Sequence, residues 1–174
     1  MNIFEVLGMV DSGYDSNSRI IMNRAQGYTF GSDGLENAPY IDMPVPFSAG
    51  GLYSTVLDLY KWDRALYTEK LVSSKSLEEM FTPFKGDYGF GWAISKQFNR
   101  KQIEHSGGIN GFANIIRRSP GDDACIIVLS NMDRSPSGPV SRDLAAILFG
   151  EKYGLPKEHH AIQLDTPHLR RLRG

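Results

Sequence analysis

The sequence predicts an α+β protein in which helices come first and an antiparallel sheet follows. Helical periodicity appears at residues 3–9 and 55–66, strand-like segments separated by turn residues fill 88–130, and 140–149 forms an amphipathic helix. The 174 residues, 41% of them hydrophobic, are enough for one ordinary domain with a core. The formal net charge of -1 gives no reason to expect nucleic acid or an anionic membrane as a partner.

The first fifty residues are turn-rich after a short start. Residues 3–9 predict a helix that Gly8 closes, and 27–31 is the only strand-like piece of the stretch from 11 to 50. Irregular segments of this length tend to line a functional site.

Two capped helices follow. Thr55 and Asp58 form the start of a capping box, and apolar residues recur behind them at helical spacing. Ser73 or Ser74 begins a second, shorter helix, which Pro83 ends. Trp62, in the first helix, is predicted to lie in the core.

The first predicted strand covers residues 88–94. Its aromatic residues, including the predicted core residue Trp92, alternate with Gly89, Gly91 and Ala93 on the opposite face. A face of glycines lets another backbone or a helix come close. We therefore expect a neighbouring element, from this chain or another, to cover that face.

The remaining strands complete a four-strand meander. Residues 103–107 and 112–117 predict adjacent strands, and 119–122 supplies turn chemistry. The continuous apolar run at 124–130 predicts a central strand covered on both faces. The 140–149 helix is predicted to pack across this sheet.

The sequence lacks the signatures of several other classes. Its single cysteine, Cys125, excludes an intrachain disulfide and is predicted to be buried and inert. No apolar run is long enough to span a bilayer, and residues 1–5 do not resemble a signal peptide, so the localisation stays open. Without a phosphate-binding loop or a Cys/His metal spacing, neither a cofactor nor a metal is expected. Residues 155–174 form a polar tail, interpreted as solvated or cut off.

The stretch from Ile103 to Phe112 carries the strongest hint of function. Three glycines in five positions leave the backbone without side chains, and His105 and Ser106 come directly before them. The arrangement fits the edge of an active site, and it fits a tight hairpin equally well.

Other polar residues near this stretch have two interpretations each. Asn110 is interpreted first as a turn residue and second as a substrate contact. Arg117 and Arg118 are predicted to solvate a strand end, with a contact to a substrate carboxylate as the alternative.

Taken in order, these segments resemble one family, the serine hydrolases that include class C beta-lactamases, DD-peptidases and beta-lactamase-like esterases. The resemblance is carried by residues 4–9, 48–55, 58–59, 88–92, 105–108, 111–112 and 128–131. It implies a partial beta-lactamase/transpeptidase-like fold. Residues 1–154 would be the C-terminal portion of such a domain, and 155–174 the start of a following region.

The resemblance also implies roles for individual residues. The family brings three motifs to one cleft, namely Ser-x-x-Lys, Tyr-x-Asn, and Lys-Thr-Gly or His-x-Gly. Here His105, Ser106 and Gly107 stand in the third position. The Gly108 N–H would be one of two oxyanion-hole donors, and Asn110 lies next to it as a candidate substrate contact.

The sequence departs from the family at the other two motifs. Neither Ser-x-x-Lys nor Tyr-x-Asn occurs, and Thr82 to Lys85 is the only hydroxyl-x-x-Lys. We therefore expect the C-terminal part of a serine hydrolase that has at most trace activity alone, or a non-catalytic binding or structural domain derived from that fold. A Ser106 nucleophile with His105 as its base is disfavoured, because neighbouring strand residues point to opposite faces.

The resemblance implies a small-molecule ester, amide or beta-lactam as substrate of the parent enzyme. An imidazole is mostly neutral at pH 7, whereas a lysine would be a permanent cation, so His105 favours neutral esters or amides. The family's sheet continues into strands that this chain lacks, so the resemblance also implies an unpaired strand edge. Such an edge predicts a homo-oligomer or a complex with a missing N-terminal segment.

Overall fold

A computed structural model describes residues 3–154 of the chain. Its four helices are α1 (Ile3–Leu7), α2 (Val56–Ala65), α3 (Ser74–Met80) and α4 (Ser137–Phe149). Its eight strands are β1 (Gly13–Tyr14), β2 (Tyr28–Gly31), β3 (Gly34–Asn37), β4 (Leu52–Tyr53), β5 (Ala93–Gln97), β6 (Arg100–Ile109), β7 (Phe112–Ser119) and β8 (Ala124–Ser130). The α+β class predicted from the sequence is confirmed.

The main sheet is the predicted antiparallel meander, in the order β5-β6-β7-β8. His105 lies opposite Ile116, which confirms the predicted pairing of 103–107 with 112–117. Two small sheets, β1 with β4 and β2 with β3, lie outside it. Of these strands only β2 was predicted, because β3 is short and fully exposed and so lacks an apolar pattern.

Helices cover both faces of the main sheet. Ile103 packs with Leu66 at the end of α2, while Arg117 donates to the hydroxyl of Ser141 in α4. Because side chains alternate along a strand, the two contacts lie on opposite faces. The 140–149 prediction is confirmed by α4, which ends at Gly150 in a left-handed conformation. No helix within residues 3–154 is both long enough and apolar enough to cross a membrane.

The predicted helix caps and core tryptophans are also observed. Thr55 accepts a hydrogen bond from the Asp58 N–H at the start of α2, and Ser73 caps α3. Trp92 is buried in the core cluster, and Trp62 packs against it. Burial raises the pKa of Cys125 to about 12, so the thiol stays protonated at neutral pH.

Arg117 and Arg118 do not solvate a strand end, contrary to the prediction. Both are buried, with Arg118 only 1% exposed. Arg118 donates to the carboxylate of Asp63 in α2, and Arg117 forms a 2.9 Å ion pair with Glu104. The two side chains therefore fasten the sheet to its covering layers.

The strand predicted for residues 88–94 begins only at Ala93. Gly91 takes a φ of +79°, which turns the chain instead of extending it. A Cβ on Gly89 would come within 2.3 Å of the Met80 carbonyl oxygen. The glycine at position 89 is thus covered by the end of α3 in the same chain, and not by a partner.

β8 is covered on both faces as predicted, but within residues 3–154 it lies at the end of the sheet and not in its centre. Both α2 and α4 lie against it. It is nevertheless the last strand of the sheet among the described residues. An apolar run reports the coverage of a strand's faces and carries no information about its lateral neighbours.

Candidate active-site edge

The stretch from His105 to Gly108 lies on a half of β6 that has a strand on one side only. β5 pairs with β6 as far as Glu104, whereas β7 continues to the end of the strand at Ile109. Within residues 3–154, no strand pairs with the outer side of 105–109. All four residues from His105 to Gly108 are exposed. The motif predicted from the sequence therefore forms an open strand edge.

The peptide groups of Ser106 and Gly108 point outward at this edge. Successive residues of an antiparallel strand direct their N–H and C=O groups alternately to the two sides. The β6–β7 turn has two residues and closes on the pair of Ile109 and Phe112, which are hydrogen-bonded to each other in such a hairpin. Odd-numbered residues of β6 therefore bond β7, and even-numbered residues face the other side.

The β5 side of the sheet gives the same alternation independently. The Ile94 N–H donates to the Asp87 carbonyl at 2.7 Å, away from β6. Ile94 and its partner Ile103 are therefore a non-hydrogen-bonded pair, and Glu104 is the residue that bonds β5. Beyond Glu104, no strand within residues 3–154 receives the outward N–H and C=O groups. They are available to pair with an extended ligand or to donate to a developing negative charge.

Two glycines of this edge have no packing reason to be glycine. A Cβ on Gly107 would meet nothing within 4 Å, and one on Gly108 would meet only the Phe112 carbonyl oxygen at 3.8 Å. Their missing side chains leave space over the two faces of the strand, where a ligand can approach the backbone closely.

The side chains of His105 and Ser106 lie on opposite faces of the sheet. His105 shares the α2 face with the core residue Ile103, and Ser106 shares the α4 face with Glu104. The Ser106 hydroxyl is therefore not placed beside the imidazole. This geometry agrees with the sequence-based argument against Ser106 as a nucleophile activated by His105.

Tyr88 contacts His105 and was not predicted as a site residue. The two rings meet edge to face with centroids 6.3 Å apart. Phe84 and Phe90, in the same turn as Tyr88, stack on each other and are largely exposed. The aromatic residues of 88–92 were visible in the sequence, but the strand predicted for them only placed their rings together on one face and gave no sign of a contact with His105.

Asn110 lies in the β6–β7 turn and its side chain binds the segment that contains Pro39. Its Nδ2 donates to the Pro39 carbonyl at 3.1 Å. Gly111 follows with a φ of +80°, and a Cβ there would lie 2.6 Å from the Cβ of Ala38. The contact supports the turn role of Asn110, with its Nδ2 engaged by the protein.

A buried polar network supports β6 beneath the edge. Arg117 donates to Gln102 at 2.9 Å and pairs with Glu104, both on β6. Burial lowers the pKa of Arg117, although the nearby Glu104 carboxylate acts in the opposite direction. These contacts fix the strand immediately before His105. Sequence reasoning missed them because Glu104 and Arg117 become neighbours only through strand pairing.

The only hydroxyl-x-x-Lys of the chain has a structural role. Thr82 lies just beyond α3, and its Oγ1 donates to the Glu78 carbonyl at 2.7 Å. It terminates the helix and is not presented from one, as the family's nucleophile is. Within the part of the chain that the structure describes, no cluster of three or more His, Cys, Asp or Glu side chains is placed to hold a metal ion.

Comparison with known proteins identifies the family. Residues 1–150 match the Beta-lactamase family. The chain belongs to the beta-lactamase family. A penicillin-binding protein of Bacillus subtilis (strain 168) is 30% identical in an alignment of 135 residues that covers 72% of this chain and 30% of that protein. The mitochondrial serine beta-lactamase-like protein of Mus musculus is 27% identical over 66% of this chain and 27% of its own length.

Solved structures agree with this membership. An octameric penicillin-binding protein homologue from Pyrococcus abyssi superimposes with a TM-score of 0.74 at 27% identity, covering 86% of this chain and 36% of that one. A D-amino acid amidase from Ochrobactrum anthropi SV3, in complex with L-phenylalanine amide, gives a TM-score of 0.69 at 25% identity and covers 85% of this chain and 49% of that one. The chain thus spans about a third of the curated relatives and less than half of these structures.

Proposed function

We propose that the edge formed by His105, Ser106, Gly107 and Gly108 is the third-motif side of a serine hydrolase active site. One observation carries the proposal: in a member of the beta-lactamase family, Gly108 is exposed and its N–H points outward from a strand edge that no strand pairs within residues 3–154. The reaction would be acyl transfer, in which a serine attacks the carbonyl carbon of an ester, an amide or a beta-lactam.

In that reaction the Gly108 N–H would donate to the oxygen of the tetrahedral intermediate. A preorganised backbone donor stabilises this charge without reorganising at the moment of reaction, and removing one such donor costs about 100-fold or more in rate. The nucleophile and its base belong to a Ser-x-x-Lys element, which the sequence does not contain. The site therefore needs residues beyond this sequence to perform the chemistry.

A neutral ester or amide is the proposed substrate class. His105 stands where a lysine would offer a permanent cation to a substrate carboxylate, and the ring of Tyr88 lies against it. The resemblance to a D-amino acid amidase crystallised with L-phenylalanine amide supports an amide of this kind.

The test restores the missing motifs. The chain is fused to the C-terminus of a segment from a family member, and that segment carries Ser-x-x-Lys and Tyr-x-Asn. Hydrolysis of a chromogenic ester and of an amino-acid anilide is then measured. Gly108→Pro removes the outward N–H, and proline is tolerated where that group faces away from the ladder. We expect kcat to fall about 100-fold or more, since one oxyanion donor is lost.

Gly108→Ala is the matched control, because it keeps the N–H and its Cβ meets only an ordinary contact at 3.8 Å. Equal rates for the Pro and Ala variants, both folded by circular dichroism, would contradict the role of Gly108.

The second candidate is a non-catalytic binding domain derived from the same fold. It is favoured by the absence of both other motifs together with an edge that can pair with an extended peptide. Saturable peptide binding without hydrolysis by the joined protein would select this candidate.

We also propose that the chain self-associates. The support is that the edges at 105–109 and at β8 have no strand partner within residues 3–154, together with the resemblance to a homologue described as octameric. A complex with a separate N-terminal segment is the alternative assembly.

A further inference from the structure

We propose that Tyr88 is a positioning residue that holds the imidazole of His105 in the orientation used to bind substrate. The inference rests on the function proposed above, in which His105 belongs to the third motif, and it adds to that site a residue that the motif does not contain. Both residues lie within 3–154, so the contact between them is complete in the part of the chain that the structure describes.

The contact joins a residue of β6 to a ring that comes from a separate turn. The rings of Tyr88 and His105 meet at an interplanar angle of 64° with their centroids 6.3 Å apart. Aromatic pairs prefer this edge-to-face arrangement, with centroid distances of about 4.5 to 7 Å. The observed geometry is therefore that of an attractive contact.

The backbone of Tyr88 is fixed on both sides, so its ring can serve as a support. Directly after Tyr88, the Gly89 N–H donates to the Trp92 carbonyl at 2.8 Å. Directly before it, the Asp87 carbonyl accepts a hydrogen bond from the Ile94 N–H at 2.7 Å. Because both bonds are made by the main chain, a change of the Tyr88 side chain leaves them in place.

The register of the sheet places this support beside His105. Tyr88 bridges Ala93, the first residue of β5, and Ala93 pairs in turn with Glu104 of β6. His105 is the next residue along β6. Backbone pairing therefore determines where the Tyr88 ring lies relative to the imidazole.

A ring contact can orient an imidazole without using either of its nitrogen atoms. A strand side chain has two common χ1 rotamers, and the χ2 distribution of histidine is broad. A hydrogen bond from the protein would restrict the ring, but it would occupy a nitrogen that could otherwise bind substrate. The contact with Tyr88 restricts the same torsions and leaves both nitrogens for the substrate, so part of the ordering cost is met before binding.

Tyr88 is separate from the hydrophobic core. The core cluster consists of Leu66, Trp92 and Ile103, and the half-buried residues packed against it do not include Tyr88. Removal of the Tyr88 ring is therefore expected to leave the fold intact, so that variants at this position report on His105.

The first test is nuclear magnetic resonance of the full chain, and it needs no activity. The chain has four histidines, and the spectrum of His105→Ala identifies the signals of His105. We expect nuclear Overhauser contacts between the two rings, and three-bond Hα–Hβ couplings that show a single χ1 rotamer of His105. These couplings should become averaged in Tyr88→Leu, whereas Tyr88→Phe should keep the single rotamer because it keeps the ring.

Tyr60→Leu is the matched control, because it also removes a tyrosine ring that is about half exposed. Tyr60 lies in α2, where its ring contacts the guanidinium of Arg64 at 5.3 Å. This variant should leave the His105 couplings unchanged, and circular dichroism shows whether each variant is folded. Averaged couplings in the unchanged chain, or equal averaging in the two leucine variants, would overturn the inference.

The second test is a double-mutant cycle in the joined protein, with the ester and the anilide as substrates. An edge-to-face contact corresponds to about 2- to 10-fold in an equilibrium constant, so Tyr88→Leu is expected to lower kcat/KM by about that factor. In a His105→Ala background the same substitution should change kcat/KM by less than about 2-fold, because the side chain through which Tyr88 acts is absent. Tyr88→Phe should recover the loss that leucine causes.

The outcomes separate this inference from the proposed function. If His105→Ala lowers kcat/KM and Tyr88→Leu does not, the positioning role of Tyr88 is overturned and the proposed function stands. The same holds if Tyr88→Leu lowers kcat/KM equally with and without His105, since the effect is then a structural one. If His105→Ala leaves kcat/KM unchanged, the function proposed for His105 fails, and the positioning role fails with it.

Discussion

At the scale of single residues, the most informative group is the guanidinium of Arg118. It is buried against the carboxylate of Asp63, itself 0% exposed, and the rings of Tyr67, Phe81 and Trp92 surround it at 4.8 to 6.0 Å. A charge in such a place is tolerated only because its partner is present. The pair joins β7 to α2, so it holds one covering layer on the sheet.

Asp63→Asn is therefore expected to lower the free energy of unfolding by about 3 kcal/mol or more, because it leaves the Arg118 charge buried without its counter-ion. Urea denaturation followed by circular dichroism measures the change. Asp123→Asn is the control: it removes the ion pair of Arg64 with a carboxylate that is 72% exposed, and asparagine tolerates the left-handed φ of 51° there. A surface pair of this kind contributes less than about 1 kcal/mol. Equal losses in the two variants would contradict the account.

The role of these arginines lies beyond what the sequence can predict. Arg118 and Asp63 are 55 residues apart, and Glu104 meets Arg117 only after β6 and β7 have paired. A local pattern of two adjacent charges is most often solvated, which is why solvation was predicted. Burial of a charge is decided by a partner that another part of the chain supplies.

At the scale of elements, the β6–β7 hairpin contains both a glycine that the fold requires and a glycine that it does not require. Gly111 has a φ of +80° and sits 2.6 Å, measured from an ideal Cβ, from both Ala38 and Gly27. Gly107 has open space around it and no left-handed φ. The two glycines are four positions apart, but only Gly111 is required by its backbone conformation and its close contacts.

We expect Gly111→Ala to lower the free energy of unfolding by about 1–3 kcal/mol, through backbone strain and the forced retreat of the 27 and 38 segments. Gly107→Ala, on the same hairpin, should change it by less than about 0.5 kcal/mol. Thermal and urea unfolding of both variants provide the comparison. A larger loss from the Gly107 variant would show that the open edge has a packing role after all.

The elements were predictable where their pattern is local. Alternation, turn chemistry and caps predicted β6, β7, β8 and the three longer helices. The strand predicted for 88–94 was wrong over 88–92. Gly89 is packed against the end of α3 and Gly91 takes a left-handed φ, and alternation in the sequence shows neither. The prediction of β8 as a central strand was wrong for a related reason, because the periodicity of a strand does not show which strands lie beside it.

At the scale of the whole molecule, the site proposed for this chain would be one side of a reaction site. The His105–Gly108 edge could be located from the sequence, because bare backbone and a motif coincide there. The aromatic neighbour Tyr88 could not, since a turn brings it to His105. The resemblance to the family, and not spacing alone, gave these residues their proposed roles.

The isolated chain is expected to show no more than trace hydrolysis of esters, anilides or beta-lactams, because it contains neither Ser-x-x-Lys nor Tyr-x-Asn. A fluorophosphonate probe followed by peptide mapping is the measurement, with Ser106→Ala as the control. Stoichiometric labelling of a serine in this chain would falsify the expectation, and labelling lost in Ser106→Ala would place the nucleophile at that residue.

The opposed arginines of β7 also bear on how such a scaffold can evolve. Shifting β7 by one residue would carry both charges to the wrong layers, away from Asp63 and Glu104, so the strand can settle in only one alignment. That alignment is decided in the buried half of the β6–β7 ladder. Residues 105–108 of β6 are exposed and lie outside that part of the ladder, so they can change without moving the backbone that presents them. In this pair of strands, the residues that fix the alignment are thus different from the residues of the proposed site.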